Sequence, residues 1–239
     1  MAQFERAYAT RTAATQVAYD EGLRQHMLRV YNYMASGLFL TGAVAVAFYQ
    51  SGWLFAVAGT PLMWLIVLSP LAFILVLSFG INRLSLFSTQ ALFWLFAAVM
   101  GLSLSTIFAV YTYTSIARVF FITAATFGAV SLYGYTTKAD LSRFGTFLFM
   151  GLMGIVLASI VNLFLGSTAL QFAISVIGVL VFTGLTAYDT QQIKETYDEN
   201  YGGEAVGKLA VMGALTLYLD FINLFQLLLQ LLGTRTSND

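Results

Sequence analysis

Leu217-Tyr218-Leu219-Asp220-Phe221-Ile222-Asn223-Leu224-Phe225 lies in the middle of the last long apolar run of the chain, Leu209 to Gly233. As a helix rising about 1.5 Å per residue, this run exceeds the roughly 30 Å of a hydrocarbon core. It therefore reads as a membrane span with a carboxyl group near its midpoint, where an ionised side chain costs at least ~2.5 to 3.5 kcal/mol. Something in the fold has to compensate that cost. At 100° per residue Gly213, Thr216, Asn223 and Gln230 fall on the same side as Asp220, and Leu, Phe and Tyr fill the other. A stripe of small and polar side chains does not face lipid, so the last helix is expected to be the inner one, its stripe facing other helices or water, with Gly213, Thr216, Asn223 and, from the sixth span, Thr186 as pore-facing candidates.

Composition carries the same reading to the rest of the chain. Of 239 residues, 59% are hydrophobic and only 9% charged, with a mean hydropathy of +0.81, whereas soluble domains carry about 25% charged residues. Formal net charge is zero and no basic run exists, which argues against nucleic acid as a partner. Without cysteine there is no disulfide and no thiolate chemistry. The single histidine, His26, falls in the polar first segment and is expected to be solvated. No organic cofactor and no enzymatic activity are expected.

Seven spans are expected: Val30 to Tyr49, Leu54 to Gly80 bent at Pro61 and Pro70, Leu84 to Tyr113, Ile116 to Tyr135, Phe144 to Leu165, Thr168 to Tyr188, and the last run. Residues 1–29 form a polar N-terminal segment without the apolar stretch of a signal peptide, residues 30–233 the membrane domain, and 234–239 a short polar tail. With the N-terminus cytoplasmic, Arg6, Arg11, Arg24, Arg29, Arg83, Lys138, Arg143, Lys194 and Lys208 all lie inside, and only Arg118 and Arg235 outside. That asymmetry predicts the N-terminus in and the C-terminus out.

Few charges sit in or beside the spans. Asp220 admits two readings: a structural hydrogen bond across a helix interface, or a proton or cation site. Asp189 ends the sixth span, on a face shared with Ser175, Gly178, Thr186 and Gln192. If the two acids met in low dielectric, both negative charges could not persist and the pair would share a proton. A guanidinium from Arg83, or a hard cation such as Ca²⁺, would favour the ionised form instead. Protons and cations would then compete for one site. Hydropathy sets an obstacle, because it places Asp189 at the membrane edge and Asp220 well inside.

At these residues the chain resembles the Bax inhibitor-1 family, the transmembrane Bax-inhibitor-motif proteins, in its bacterial branch. Gly184-Leu185-Thr186-Ala187-Tyr188-Asp189-Thr190-Gln191-Gln192-Ile193-Lys194 is similar to the family's sixth-helix segment, Leu217 to Phe225 to its last-helix motif, and Thr137-Lys138-Ala139-Asp140-Leu141-Ser142 to its polar link. The resemblance covers roughly Val30 to Gly233. It implies an all-α integral membrane fold of seven helices, two three-helix layers around a central C-terminal helix, acting as a pH-sensitive calcium leak channel. It further implies that Asp189 and Asp220 form the gating, pH-sensing and possible Ca²⁺-binding pair, that Arg83 is a latch, and that the membrane is a bacterial inner one.

Two other functions compete. One is a modulator of a membrane-bound protease or cell-death pathway, with residues 1–29 as the handle. The other is an intramembrane aspartyl protease, since two carboxyl groups sharing a proton can activate water; Leu217-Tyr218-Leu219 stands where that class has Gly-x-Gly before its aspartate. A retinal receptor is disfavoured, because no lysine follows Lys208.

Overall fold

Seven helices of the computed structural model are long and apolar enough to cross a membrane. The structure describes residues 2–198 and 201–236, with side chains from Tyr19 onward. In chain order the helices are α1 (Ala2–Gln50), α2 (Trp53–Val57), α3 (Pro61–Gly80), α4 (Leu86–Leu104), α5 (Ile107–Val110), α6 (Tyr113–Thr136), α7 (Ser142–Leu165), α8 (Thr168–Glu195) and α9 (Gly203–Leu232). The short α2 lies between the first and second spans, and α5 completes the third, which runs from Leu86 to Val110.

Hydroxyl caps set several of the starts. Ser85, Thr112 and Ser167 each accept a hydrogen bond from a first-turn amide, of Ser88, Ser115 and Leu170, satisfying donors that have no partner within the helix. Pro61 opens α3 at a position where a missing N–H costs nothing. This corrects the second span, which begins at Pro61 instead of bending there. α7 stops at Gly166, whose φ of 61° suits a residue without Cβ. The link into α7 is pinned from α8, where buried Gln191 accepts from Leu141 N (2.8 Å) and donates to Ala139 O (2.9 Å). Asp140 Oδ1 accepts from Ser142 N (2.9 Å); that bond and the Ser142 side chain hold its exposed carboxyl below the usual range.

The helices form two groups of three. α1, α3 and α4 pack together, as do α6, α7 and α8, and α9 lies between, touching α1 and α4 on one side and α6 and α8 on the other. In α9, 56% of the most apolar window is buried, against at most 33% in any other span. The last helix is thus the central one, as its polar stripe predicts. Layers approach closely where a glycine removes the side chain: a Cβ on Gly134 of α6 would stand 2.3 Å from the Ala187 carbonyl oxygen of α8.

Tyr218 anchors α9 to the first group. It is fully buried, with ring centroids 5.2 Å from Phe96 and 6.4 Å from Phe93 in edge-to-face packing. Thr41 Oγ1 lies 2.8 Å from Ala97 O and 2.7 Å from Tyr218 Oη. The threonine has one proton, which the Ala97 carbonyl takes, so Tyr218 donates to Thr41. Tyr218→Phe leaves that buried acceptor empty and is expected to cost about 1 kcal/mol, measurable as a lowered thermal midpoint in detergent.

The first polar segment departs from expectation. α1 runs unbroken from Ala2 through the first span, and Leu23, His26 and Met27 are buried. His26 is not solvated: it is 2% exposed, its ring lies 5.3 Å from that of Tyr197, and among the described residues no hydrogen-bond partner reaches either nitrogen. Tyr197 comes from the loop between α8 and α9, of which residues 199–200 lie outside the described part, and it also meets Tyr19. At the other end, residues 234–236 pair with 110–112: Thr112 N donates to Thr234 O (3.1 Å) and Thr236 N to Val110 O (2.9 Å). The described part of the short polar tail, residues 234–236, thus ties the end of α9 to the start of α6.

Candidate functional site: a carboxyl pair between the last two helices

α8 and α9 run antiparallel, and side-chain contacts fix their register. Ile193 covers Gly213, Leu227 covers Gly178, and Ser175 Oγ bonds Gln230 Oε1 at 2.9 Å. Between these points the side chains of Asp189 and Asp220 are hydrogen-bonded to each other. Hydropathy placed the two acids at different depths, and helix length removes the conflict. α8 continues to Glu195, past the apolar run that ended at Tyr188. α9 starts at Gly203, six residues before Leu209. With Gly213 opposite Ile193, the start of α9 projects about 12 Å beyond the end of α8, so Asp220 comes down to Asp189.

Asp220 is 4% exposed and Asp189 half-buried. No described donor reaches Asp220 Oδ2, and neither acid has a salt bridge among the described residues. Two carboxyl groups in contact can hydrogen-bond only if one carries a proton and donates it. The arrangement can therefore hold one proton between two acids, or, with the proton gone, present up to four oxygens to a cation. Those are its two chemical capacities.

The other predicted residues surround the pair without joining it. Thr186 Oγ1 donates to Phe182 O (2.8 Å), Thr216 Oγ1 to Met212 O (3.2 Å) and Asn223 Nδ2 to Leu219 O (2.8 Å); each is spent on its own helix. Gly213 admits the Ile193 side chain at the α8–α9 contact. Arg83 is not brought to the aspartates. It sits exposed in the turn after α3, its backbone N–H bonded to Gly80 O (2.8 Å), and makes no salt bridge among the described residues. The expected latch contact is absent from this conformation.

Two polar features escaped the sequence reading. Tyr31 Oη, Ser131 Oγ and Thr190 Oγ1 lie 2.7 and 2.9 Å apart in series, and Thr190 donates onward to Thr186 O (2.7 Å). Each hydroxyl has one proton, so the chain points one way, from Tyr31 on α1 through Ser131 on α6 into α8 beside Asp189. Toward the opposite face, Asn162, Gln171, Ser175 and Gln230 join in an amide and hydroxyl cluster across α7, α8 and α9. The first was not legible because it draws on helices far apart in sequence; in the second, Ser175 and Gln230 stood on the polar faces read from the sequence, and what was missed is their junction with Asn162 and Gln171.

The sequence around this pair matches the family model described as inhibitor of apoptosis-promoting Bax1 over residues 23–237. The chain belongs to the Bax inhibitor-1 family. The match covers most of the chain, including the acid pair, the Thr137–Ser142 link and all seven spans. Among relatives, a protein of Rickettsia prowazekii is 48% identical over 234 residues, covering 94% of this chain and 95% of its own. The inner membrane protein YbhL of Escherichia coli strain K12 is 50% identical over 218 residues, covering 90% and 93%. A membrane protein of Streptococcus pyogenes is 36% identical over 218 residues, covering 90% and 94%. Relatives in distant bacteria thus align with nine-tenths or more of this chain.

Proposed function

We propose that this protein is a pH-sensitive cation leak, for Ca²⁺ in the first instance, gated by the Asp189–Asp220 pair. The observation that carries the reading is the side-chain hydrogen bond between two acids of neighbouring membrane helices, one of them buried without another donor. Holding a carboxyl at that depth is costly unless it is used, and intramembrane acids mark ion pathways. Protonated, the pair bonds α8 to α9 and offers a cation nothing. Ionised, it repels itself and becomes a hard oxygen site. Competition between protons and Ca²⁺ gives the device its pH dependence.

The bacterial inner membrane, with the α1 N-terminus in the cytoplasm, is the setting that the Lys and Arg distribution and the likeness to the inner membrane protein YbhL of Escherichia coli support. Purified protein in Ca²⁺-loaded proteoliposomes tests the reading. Ca²⁺ flux is expected to exceed that of protein-free vesicles and to change with pH between acidic and mildly alkaline buffer. Flux that ignores pH would overturn the gating by the acid pair, and flux no greater than that of protein-free vesicles would overturn transport and leave a non-transporting role, as modulator of a membrane protease, in its place.

A further inference from the structure

The largest cavity described is separate from the acid pair. It lies between α1 and α6, about 1260 Å³ in volume, with Leu38 and Ala43 on one wall, Ala124 and Gly128 on the other and Phe221 of α9 as its floor. Its lining reaches from Arg24 to Gln50 along α1, about 39 Å of helix, so it runs through the whole hydrocarbon depth. Two glycines keep it open. A Cβ added to Gly42 or Gly128 would meet nothing within 4 Å. Phe39, Phe121 and Leu132 beside it are exposed, so the groove lies in a lipid-facing wall.

An apolar concavity of this size is not held by water, which needs polar partners. Acyl chains are as apolar as the leucines they would touch, so a chain alone gives little preference for the groove over the bulk bilayer. The polar end supplies it. Arg24 lines the groove six residues before Val30, about 9 Å along the axis, at headgroup depth. Its salt bridge to Glu21 is long at 3.5 Å and exposed, worth little against a bidentate phosphate contact. A second cation stands behind the same end: Lys194 Nζ donates to Tyr135 O (2.9 Å) and sits 5.5 Å from the Tyr135 ring centroid, and that ring lines the groove.

We propose that the α1–α6 groove is a binding site for one anionic phospholipid from the leaflet of the N-terminal face. Its phosphate sits at Arg24, and an acyl chain runs inward past Gly128 toward Phe221. The site does not depend on the ion-leak reading. It places the lipid against Tyr31 and Ser131, the first two members of the hydroxyl chain that ends beside Asp189.

The test uses the full chain in phosphatidylcholine vesicles containing a small fraction of phosphatidylglycerol with a photoactivatable diazirine in its acyl chain, with adducts mapped by peptide mass spectrometry. Adducts are expected to concentrate on α1 and α6 peptides relative to the equally lipid-exposed Phe147 and Phe164 of α7. Gly128→Phe and, separately, Gly42→Phe fill open space and should deplete groove adducts while leaving those of α7. Arg24→Gln should lower the preference for phosphatidylglycerol over a phosphatidylcholine probe about fivefold, the effect of one basic side chain at an anionic surface. Equal labelling of α7 and the groove would overturn the proposal, as would groove labelling unchanged in both phenylalanine variants, or a headgroup preference unchanged in Arg24→Gln. Cross-links to a second copy of the chain at these positions would assign the groove to an oligomer interface and overturn it too.

Discussion

Asp220→Asn is expected to abolish the pH dependence of Ca²⁺ flux and to weaken Ca²⁺ binding by at least about tenfold, the scale of losing one charged ligand from a buried site. The substitution preserves shape: an asparagine amide can donate to Asp189 as a protonated carboxyl does, so the bond between α8 and α9 survives while the shared proton disappears. The sign for the unmodified protein follows from competition. Each proton that must leave before the cation binds raises apparent Ca²⁺ affinity by up to about tenfold per pH unit, so binding strengthens as pH rises and weakens as it falls. Isothermal titration at several pH values reads binding, and proteoliposome flux reads transport. If Asp220→Asn together with Asp189→Asn bound and passed Ca²⁺ with the wild-type pH profile, the pair would be structural only.

Gly134→Val is expected to be the most damaging single change to the fold. The new Cβ would lie 2.3 Å from the Ala187 carbonyl oxygen and 3.0 Å from Ala187 Cα and C. These are backbone atoms that no rotamer change moves aside, so α6 must shift from α8. The Ser131–Thr190 hydrogen bond, one turn away, is stretched or lost with that shift. A cost of roughly 3 kcal/mol is expected, at the upper end for overpacking. Gly154→Val on α7 is the control, since a Cβ there meets nothing within 4 Å; it carries the same gain in helix propensity without the clash. Equal thermal midpoints for the two variants in detergent would show that the α6–α8 approach is not tight.

The number of spans was legible because a hydrocarbon core demands about 20 apolar residues per crossing, whatever the tertiary arrangement. Their ends were not. Hydropathy closes a span where polar residues begin, but a helix closes where its backbone hydrogen bonds end, and α8 and α9 both carry polar residues past the membrane edge. His26 failed for a related reason. Its segment is rich in polar residues such as Arg24, Gln25 and Arg29, while its ring packs on Tyr197, 171 positions away, on the helix face it shares with buried Leu23, Met27 and Val30. Arg83 resembled a latch on spacing alone, and nothing in spacing fixes where a long side chain in a turn points.

The sequence by itself determined the class of fold, the central position of the last helix and the two acids worth explaining, because a buried carboxyl and a polar stripe are costly in lipid and announce themselves on a single helix. The tertiary structure decided that these acids touch, that a hydroxyl chain from α1 ends beside them, and that a lipid-facing groove opens between α1 and α6. Each of those depends on the register and separation of helices distant in the chain, which are set by where glycines let backbones close and where aromatic rings hold them apart.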